Sequence, residues 1–194
     1  MQQSKFLNAV LIAINVMLIF LTFRGFYHMY AVLSFPYDIA NGEGFVLRDA
    51  AVLRGDSSIY QAVDRSPFLV SNYPPLFPWI ASKVMFFTGP SFIATRSVSA
   101  LAFMGIAGLI FYFLRKNNIS AQYSLFGASM FFNSMYVYYW SAWSRVDGLA
   151  VFFGLWAIVA IGLKIRIGST ILAALCCFAA VATKQSAYLL NKAG

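Results

Sequence analysis

Asp38 is the residue whose type and position best suit chemistry. It stands in the dipeptide Tyr37-Asp38, shortly after the first long apolar run, at the start of a polar stretch reaching to Pro75. A carboxylate held at the edge of a membrane can take the proton from an acceptor group during its attack, a contribution of typically ~10²–10⁴ in rate. The chain has six acidic residues in all, and five of them, Asp38, Glu43, Asp49, Asp56 and Asp64, lie in this stretch. Glu43 is the acid nearest to Asp38 in sequence and is a secondary candidate, as is the sixth acid, Asp147. Each has a plainer reading as a helix cap or a solvated loop acid. Asp56-Ser57, for instance, predicts the N-cap of a short helix through Ile59, Tyr60 and Ala62.

Three cations stand on three different apolar segments, Arg96, Arg145 and Lys184. Brought together they would form an anion pocket suited to a phosphate ester, whereas singly each reads as an anchor reaching for the membrane surface. Ser144 with Asp147 three residues on fits a capping arrangement, with the acid at the positive end of a helix. His28 is a lone histidine and reads as packing. The sequence carries no glycine-rich phosphate loop, no HExxH, no GxSxG and no Asp-x-Asp pair, so it points to no metal and no evident cofactor. Cys176 and Cys177 are adjacent in an apolar run, where neither a disulfide between them nor a metal spacing is expected.

The elements that must position these groups are hydrophobic. Of the 194 residues, 61% are apolar and 10% charged, against roughly 25% charged in soluble domains; the mean hydropathy is +0.73. A water-soluble fold of this size cannot bury so much apolar surface, so the expectation is an integral, multi-pass membrane protein. The net charge of +8 would suggest nucleic acid in a soluble chain. Here the bases sit singly at the ends of apolar runs, as membrane anchors and lipid-phosphate contacts do, and nucleic-acid binding is excluded.

The pattern predicts an all-α, polytopic transmembrane bundle forming one membrane domain over residues 1–194. Spans are expected near 6–23, 92–114, 121–140, 146–163 and 171–190, with a large first outer loop over 35–90 that carries short interfacial helices. Phe6 to Phe23 is eighteen residues without a charge, about 27 Å of helix and close to the ~30 Å hydrocarbon thickness. Arg24, Tyr27, His28 and Tyr30 form its interfacial collar. Tyr73-Pro74-Pro75 stops any preceding helix, and LFPWIASKVMFF after it is too short to span; Trp79 and Lys83 suit a helix lying in the interface, ended by Gly89-Pro90. Aromatic residues from Tyr136 to Trp143 mark a membrane–water belt. Threading the spans puts Lys5, Arg115, Lys116, Lys164 and Arg166 on the cytoplasmic side and every acid on the outer side.

Several of these stretches, GDSSIYQAVDRSPFLVSNYPPLFPWIASKV above all, resemble the first third of GT-C superfamily membrane glycosyltransferases, of the protein mannosyltransferase and aminoarabinose transferase kind. The likeness lies in an acid after the first helix, the segment Gly55 to Tyr60, the turn Tyr73 to Leu76, and Gly89 followed by Arg96 and Ser99. SRVDGLA (Ser144 to Ala150) and ATKQSA (Ala182 to Ala187) add to it. The resemblance implies inverting transfer of a sugar from a polyprenyl-phosphate donor to an acceptor at the extracytoplasmic face of a bacterial or archaeal plasma membrane. Asp38 would then be the general base, and Arg96, Arg145, Lys184 and Tyr73 would hold the donor and its phosphate. Members of the family have many more spans, which implies that these five are its amino-terminal portion. A non-catalytic multi-pass subunit or a transporter fragment is the rival reading; a transporter would favour broken helices or internal repeats, and the sequence suggests neither. A lipid-linked oligosaccharide polymerase or ligase shares the substrate class but carries its large outer loop late in the chain.

Overall fold

The computed structural model describes residues 2–62, 64, 66, 68, 70–163 and 166–186, excluding the side chains of 2–4, 7, 8 and 166. Among them eight helices occur and no strand: α1 (Gln2–Ser34), α2 (Glu43–Arg54), α3 (Leu76–Thr88), α4 (Phe92–Lys116), α5 (Ala121–Phe132), α6 (Met135–Trp140), α7 (Val146–Ile161) and α8 (Arg166–Thr183). The all-helical expectation holds. Two helices are long and apolar enough to cross a membrane, Ala9–Ser34 and Phe92–Lys116; Leu76–Thr88, Val146–Ile161 and Ile167–Thr183 are shorter apolar helices.

The long helices alternate in direction. The C-terminal part of α1 packs on the N-terminal part of α4, where Met29 and Val32 share a core with Ala100, Phe103 and Ile106. α4 and α7 run side by side in the same direction and approach closely at two glycines. A Cβ added to Gly148 would lie 2.5 Å from the Phe103 ring, and one added to Gly105 would lie 2.5 Å from the Phe152 ring. Each ring therefore fills the notch left by the glycine opposite. α8 returns antiparallel to α7, with Ala173 and Cys176 on Ala157 and Ala160.

α2 and α3 lie at the end of the bundle that carries the α1 C-terminus. Val46 and Ala50 of α2, Phe77, Ala81 and Met85 of α3, and Ala94, Val98 and Ala102 of α4 form one core there. α3 starts after Pro74-Pro75 and stops at Gly89, whose φ of 71° lies in the left-handed region. Its Trp79 and Lys83 are exposed on one face, with Lys83 Nζ 5.5 Å from the Trp79 ring.

Several boundaries differ from the sequence reading. α1 runs past Phe23 through the collar to Ser34, because nothing between Arg24 and Ser34 breaks a helix. The short helix expected after Asp56-Ser57 does not form. Asp56 takes a φ of 56°, and the Ser58 hydroxyl donates to the carbonyl of Tyr60 and accepts from its N–H, a local turn that competes with a helix. The helix of this region is instead α2. The expected span over 121–140 is broken at Asn133-Ser134: Asn133 donates to Thr22 Oγ1 at 3.1 Å, and Ser134 Oγ caps α6 through the Val137 N–H at 3.4 Å. α7 ends at Ile161, short of residue 163. α8 begins at Arg166, earlier than residue 171, and ends at Thr183; residues 187–190 of that expected span, and Lys164, lie outside the described residues.

Candidate functional site

Glu43 and Arg96 form a buried ion pair on which the site is built. Arg96, in the first turns of α4, is 0% exposed, and Glu43, the first residue of α2, is 1% exposed. Glu43 Oε2 accepts from Arg96 Nη2 at 2.7 Å and Oε1 from Arg96 Nε at 3.1 Å. Nη1 donates to the carbonyls of Val32 (2.9 Å) and Phe35 (2.5 Å), and the other Nη2 proton goes to the carbonyl of Tyr37 at 2.7 Å. All five guanidinium N–H groups are thereby used, one of them on the Val32 carbonyl in the last turn of α1 and one on the Phe35 carbonyl just beyond it.

The Glu43 carboxylate has two further donors, the Ile39 N–H on Oε2 at 2.9 Å and the Ser144 N–H on Oε1 at 2.7 Å. Burial alone pushes this carboxyl up. The Arg96 side chain outweighs that effect together with the Ile39 and Ser144 backbone N–H groups, and the carboxyl is lowered to about 2.

This geometry decides the environment of Asp38. Its neighbour Tyr37 is held by its carbonyl on Arg96, and its other neighbour Ile39 by its N–H on Glu43. Asp38 itself is exposed, and its Oδ2 lies 3.6 Å from where a Cβ on Gly44 would stand, over the first turn of α2. The backbone on both sides of a solvent-accessible carboxylate is thus held by the Glu43–Arg96 pair.

The second part of the site is the turn between α6 and α7. α4 presents Thr95 and Ser99 on either side of Arg96. Thr95 Oγ1 and Ser144 Oγ lie 2.6 Å apart in a hydrogen bond, and Ser99 Oγ both accepts from the Arg145 N–H at 3.1 Å and donates to the Arg145 carbonyl at 3.0 Å. Ser144 therefore does not cap α7 with Asp147 as its spacing suggested, since its hydroxyl is engaged by Thr95; the N-cap position is Arg145, with no side-chain cap. Asp147 does stand in the first turn of α7, where it accepts from Arg145 Nε at 3.2 Å and pairs with Lys184 just beyond α8. The Arg145 guanidinium also lies 4.3 Å from the Trp140 ring, a cation–π contact that fixes its direction.

The sequence-derived candidates are thus gathered at one end of the bundle, but in two roles. Arg145 and Lys184 are partly exposed, at 30% and 33%; they share one carboxylate and so carry a single net positive charge. Arg96 is fully engaged inside the protein and has no N–H left for a phosphate. Tyr73 is half-buried against the core of α2, α3 and α4, and its carbonyl accepts from the Tyr60 hydroxyl at 3.0 Å. Asp49, which sequence reasoning passed over, is buried and held by Arg48 and by the Ser71 hydroxyl at 2.6 Å, tying the polar stretch to α2. The positioning roles of Glu43 and Arg96 were missed as well. The available signals were an acid opening an amphipathic twelve-residue segment after Asn41-Gly42, and an arginine between Thr95 and Ser99, whose hydroxyls face the same side. Comparison with family models, with curated proteins and with solved structures finds no match to this chain.

Proposed function

We propose that this chain is a multi-pass membrane protein whose α1, α4, α5–α6, α7 and α8 segments cross the bilayer, and that it acts as a glycosyltransferase on a polyprenyl-phosphate-linked sugar at the extracytoplasmic face of a plasma membrane. The observation that carries this reading is the clamp on Asp38. An exposed carboxylate is bracketed by Tyr37 and Ile39, both bound to one buried ion pair, which is the preorganisation a general base requires. The same Glu43 carboxylate binds Ser144, so the position of Asp38 is coupled to that of Arg145.

In the proposed reaction the Asp38 carboxylate accepts the proton of the acceptor group. The acceptor atom forms a bond to the anomeric carbon from the face opposite the carrier, and the bond from that carbon to the carrier phosphate breaks, leaving the electron pair on phosphate oxygen. The positive charge shared by Arg145 and Lys184 balances the departing phosphate. No metal is assigned a role. The test is sugar transfer by membranes carrying the protein, supplied with a panel of polyprenyl-phosphate sugars, with and without Asp38→Asn. At equal expression the substitution lowers transfer by about 10²–10⁴; absence of Asp38-dependent transfer from every donor overturns the reading. The break between α5 and α6 favours a second reading, a transporter segment, since discontinuous helices line transport sites. That reading predicts donor-independent solute uptake unaffected by Asp38→Asn.

A further inference from the structure

Away from Asp38, Arg145 and Lys184, the break between α5 and α6 leaves a cavity of about 230 Å³ against α1, lined by Leu21, Arg24, Asn133, Met135, Tyr138 and Tyr139. Arg24 is its one charged wall. The guanidinium stacks 5.0 Å from the Tyr138 ring, and no carboxylate among the described residues pairs with it. One helical turn further along, His28 lies 4.3 Å from the same Tyr138 ring and leaves Nε2 buried without a hydrogen-bond partner. His28 does not line the cavity; at its wall the Arg24 guanidinium, stacked on one ring and without a carboxylate among the described residues, is open to an anion.

We propose that this cavity binds the phosphate group of a membrane amphiphile, with the phosphate on Arg24 and the apolar chain along α1. Three features give this ligand class. The charge is a guanidinium, whose fork matches phosphate oxygens. The apolar run Phe6 to Phe23 is about 27 Å long, an uncharged stretch of α1 along which a lipid chain running from Arg24 can lie. Towards its N-terminus from the cavity, α1 exposes Met17 and Phe20, a surface that an acyl or isoprenoid chain covers. Met135 and Tyr139 at the mouth are exposed too, so the ligand enters from the side.

The test is native mass spectrometry of the whole detergent-solubilised protein, titrated separately with phosphatidylglycerol, a polyprenyl monophosphate, diacylglycerol and inorganic phosphate. The expected result is one retained phosphate-bearing lipid, no retention of diacylglycerol, and affinity lowered about tenfold or more by Arg24→Gln. Arg24→Lys keeps part of the binding and Lys83→Gln, at an exposed cation elsewhere, leaves it unchanged. The two lipids separate the possible sources, and competition by inorganic phosphate at equal affinity would keep the anion site but assign it to the free ion. Equal binding of diacylglycerol, or Arg24→Gln binding like wild type with an unchanged melting curve, overturns the proposal.

Discussion

Replacing Glu43 by glutamine changes one oxygen to an NH₂ group and leaves shape and volume nearly intact, yet the structure gives it a large penalty. Each carboxylate oxygen accepts two bonds, Oε1 from Arg96 Nε and the Ser144 N–H, and Oε2 from Arg96 Nη2 and the Ile39 N–H. Whichever way the amide is turned, its NH₂ meets two donors. Arg96, with no exposed surface, is left as a buried charge without a counter-ion. Breaking a buried pair from one side costs roughly 3–5 kcal/mol, and that range applies to Glu43→Gln.

The assay is reversible unfolding in mixed micelles by increasing SDS, followed by tryptophan fluorescence, to which Trp140 at the end of α6 and Trp143 in the turn that Glu43 holds contribute. The pH dependence gives an independent check. The Glu43 carboxyl lies at about 2 in the folded protein against an ordinary 4.5, so its folded-state value is depressed. Its stabilisation, about 3 kcal/mol by linkage, is therefore fully present above pH 4.5 and is lost as the pH falls through about 2. The wild type loses stability across that window and the glutamine variant loses much less. A cost below about 1 kcal/mol, or the same acid profile in both proteins, refutes the hub role assigned to Glu43.

Two further outcomes follow from packing and charge. Gly148→Leu drives a side chain into the Phe103 ring, already 2.5 Å from an added Cβ; it destabilises by about 1–3 kcal/mol or more, whereas Gly154→Leu, where nothing lies within 4 Å of an added Cβ, has little effect in the same SDS titration. Asp147→Asn removes the carboxylate that Arg145 and Lys184 share; because all three are partly exposed the stability cost stays near or below about 1 kcal/mol. The freed positive charge raises affinity for an anionic lipid-phosphate inhibitor, and unchanged affinity by equilibrium binding would remove Arg145 and Lys184 from the phosphate role.

Apolar runs and their punctuation made much of the fold legible. Pro74-Pro75 and Gly89 bound α3, and the turn at Arg115 to Asn118 ends α4, because proline, glycine and charge act locally. α2 was not foreseen because EGFVLRDAAVLR carries four charged residues in twelve, and the charges obscure a helical stripe of Val46, Leu47, Ala50 and Ala51 that packs on the core. The α5–α6 break was hidden inside an aromatic run whose hydrophobicity is continuous. Asn133 breaks it by reaching Thr22, 111 residues away, and local pattern carries no sign of that partner. The site shows the same division. Asp38, Arg145 and Lys184 could be picked out as polar groups at segment ends, but Arg96 could not be told from an anchoring arginine until Glu43, 53 residues away, was placed against it.

The Glu43–Arg96 pair also bears on why a charge pair is buried here at all. Apolar residues of similar size would fill the same space at comparable or better stability, so burial alone does not account for it. What an apolar pair lacks is directed bonding. The segment it holds, Phe35 to Ile39, exposes Phe35, Tyr37 and Ile39 as well as Asp38, and a segment with so little buried surface cannot fix itself by packing. Three of its backbone groups, the Phe35 and Tyr37 carbonyls and the Ile39 N–H, are instead fixed by the pair. The arrangement fixes the backbone that carries an accessible carboxylate without burying the carboxylate itself. It follows that Glu43→Gln should disorder Asp38 before it unfolds the bundle. In the variant, labelling of a cysteine placed at Asp38 should become insensitive to whether the donor lipid is bound, while α4–α7 packing, read from the unfolding cooperativity, persists.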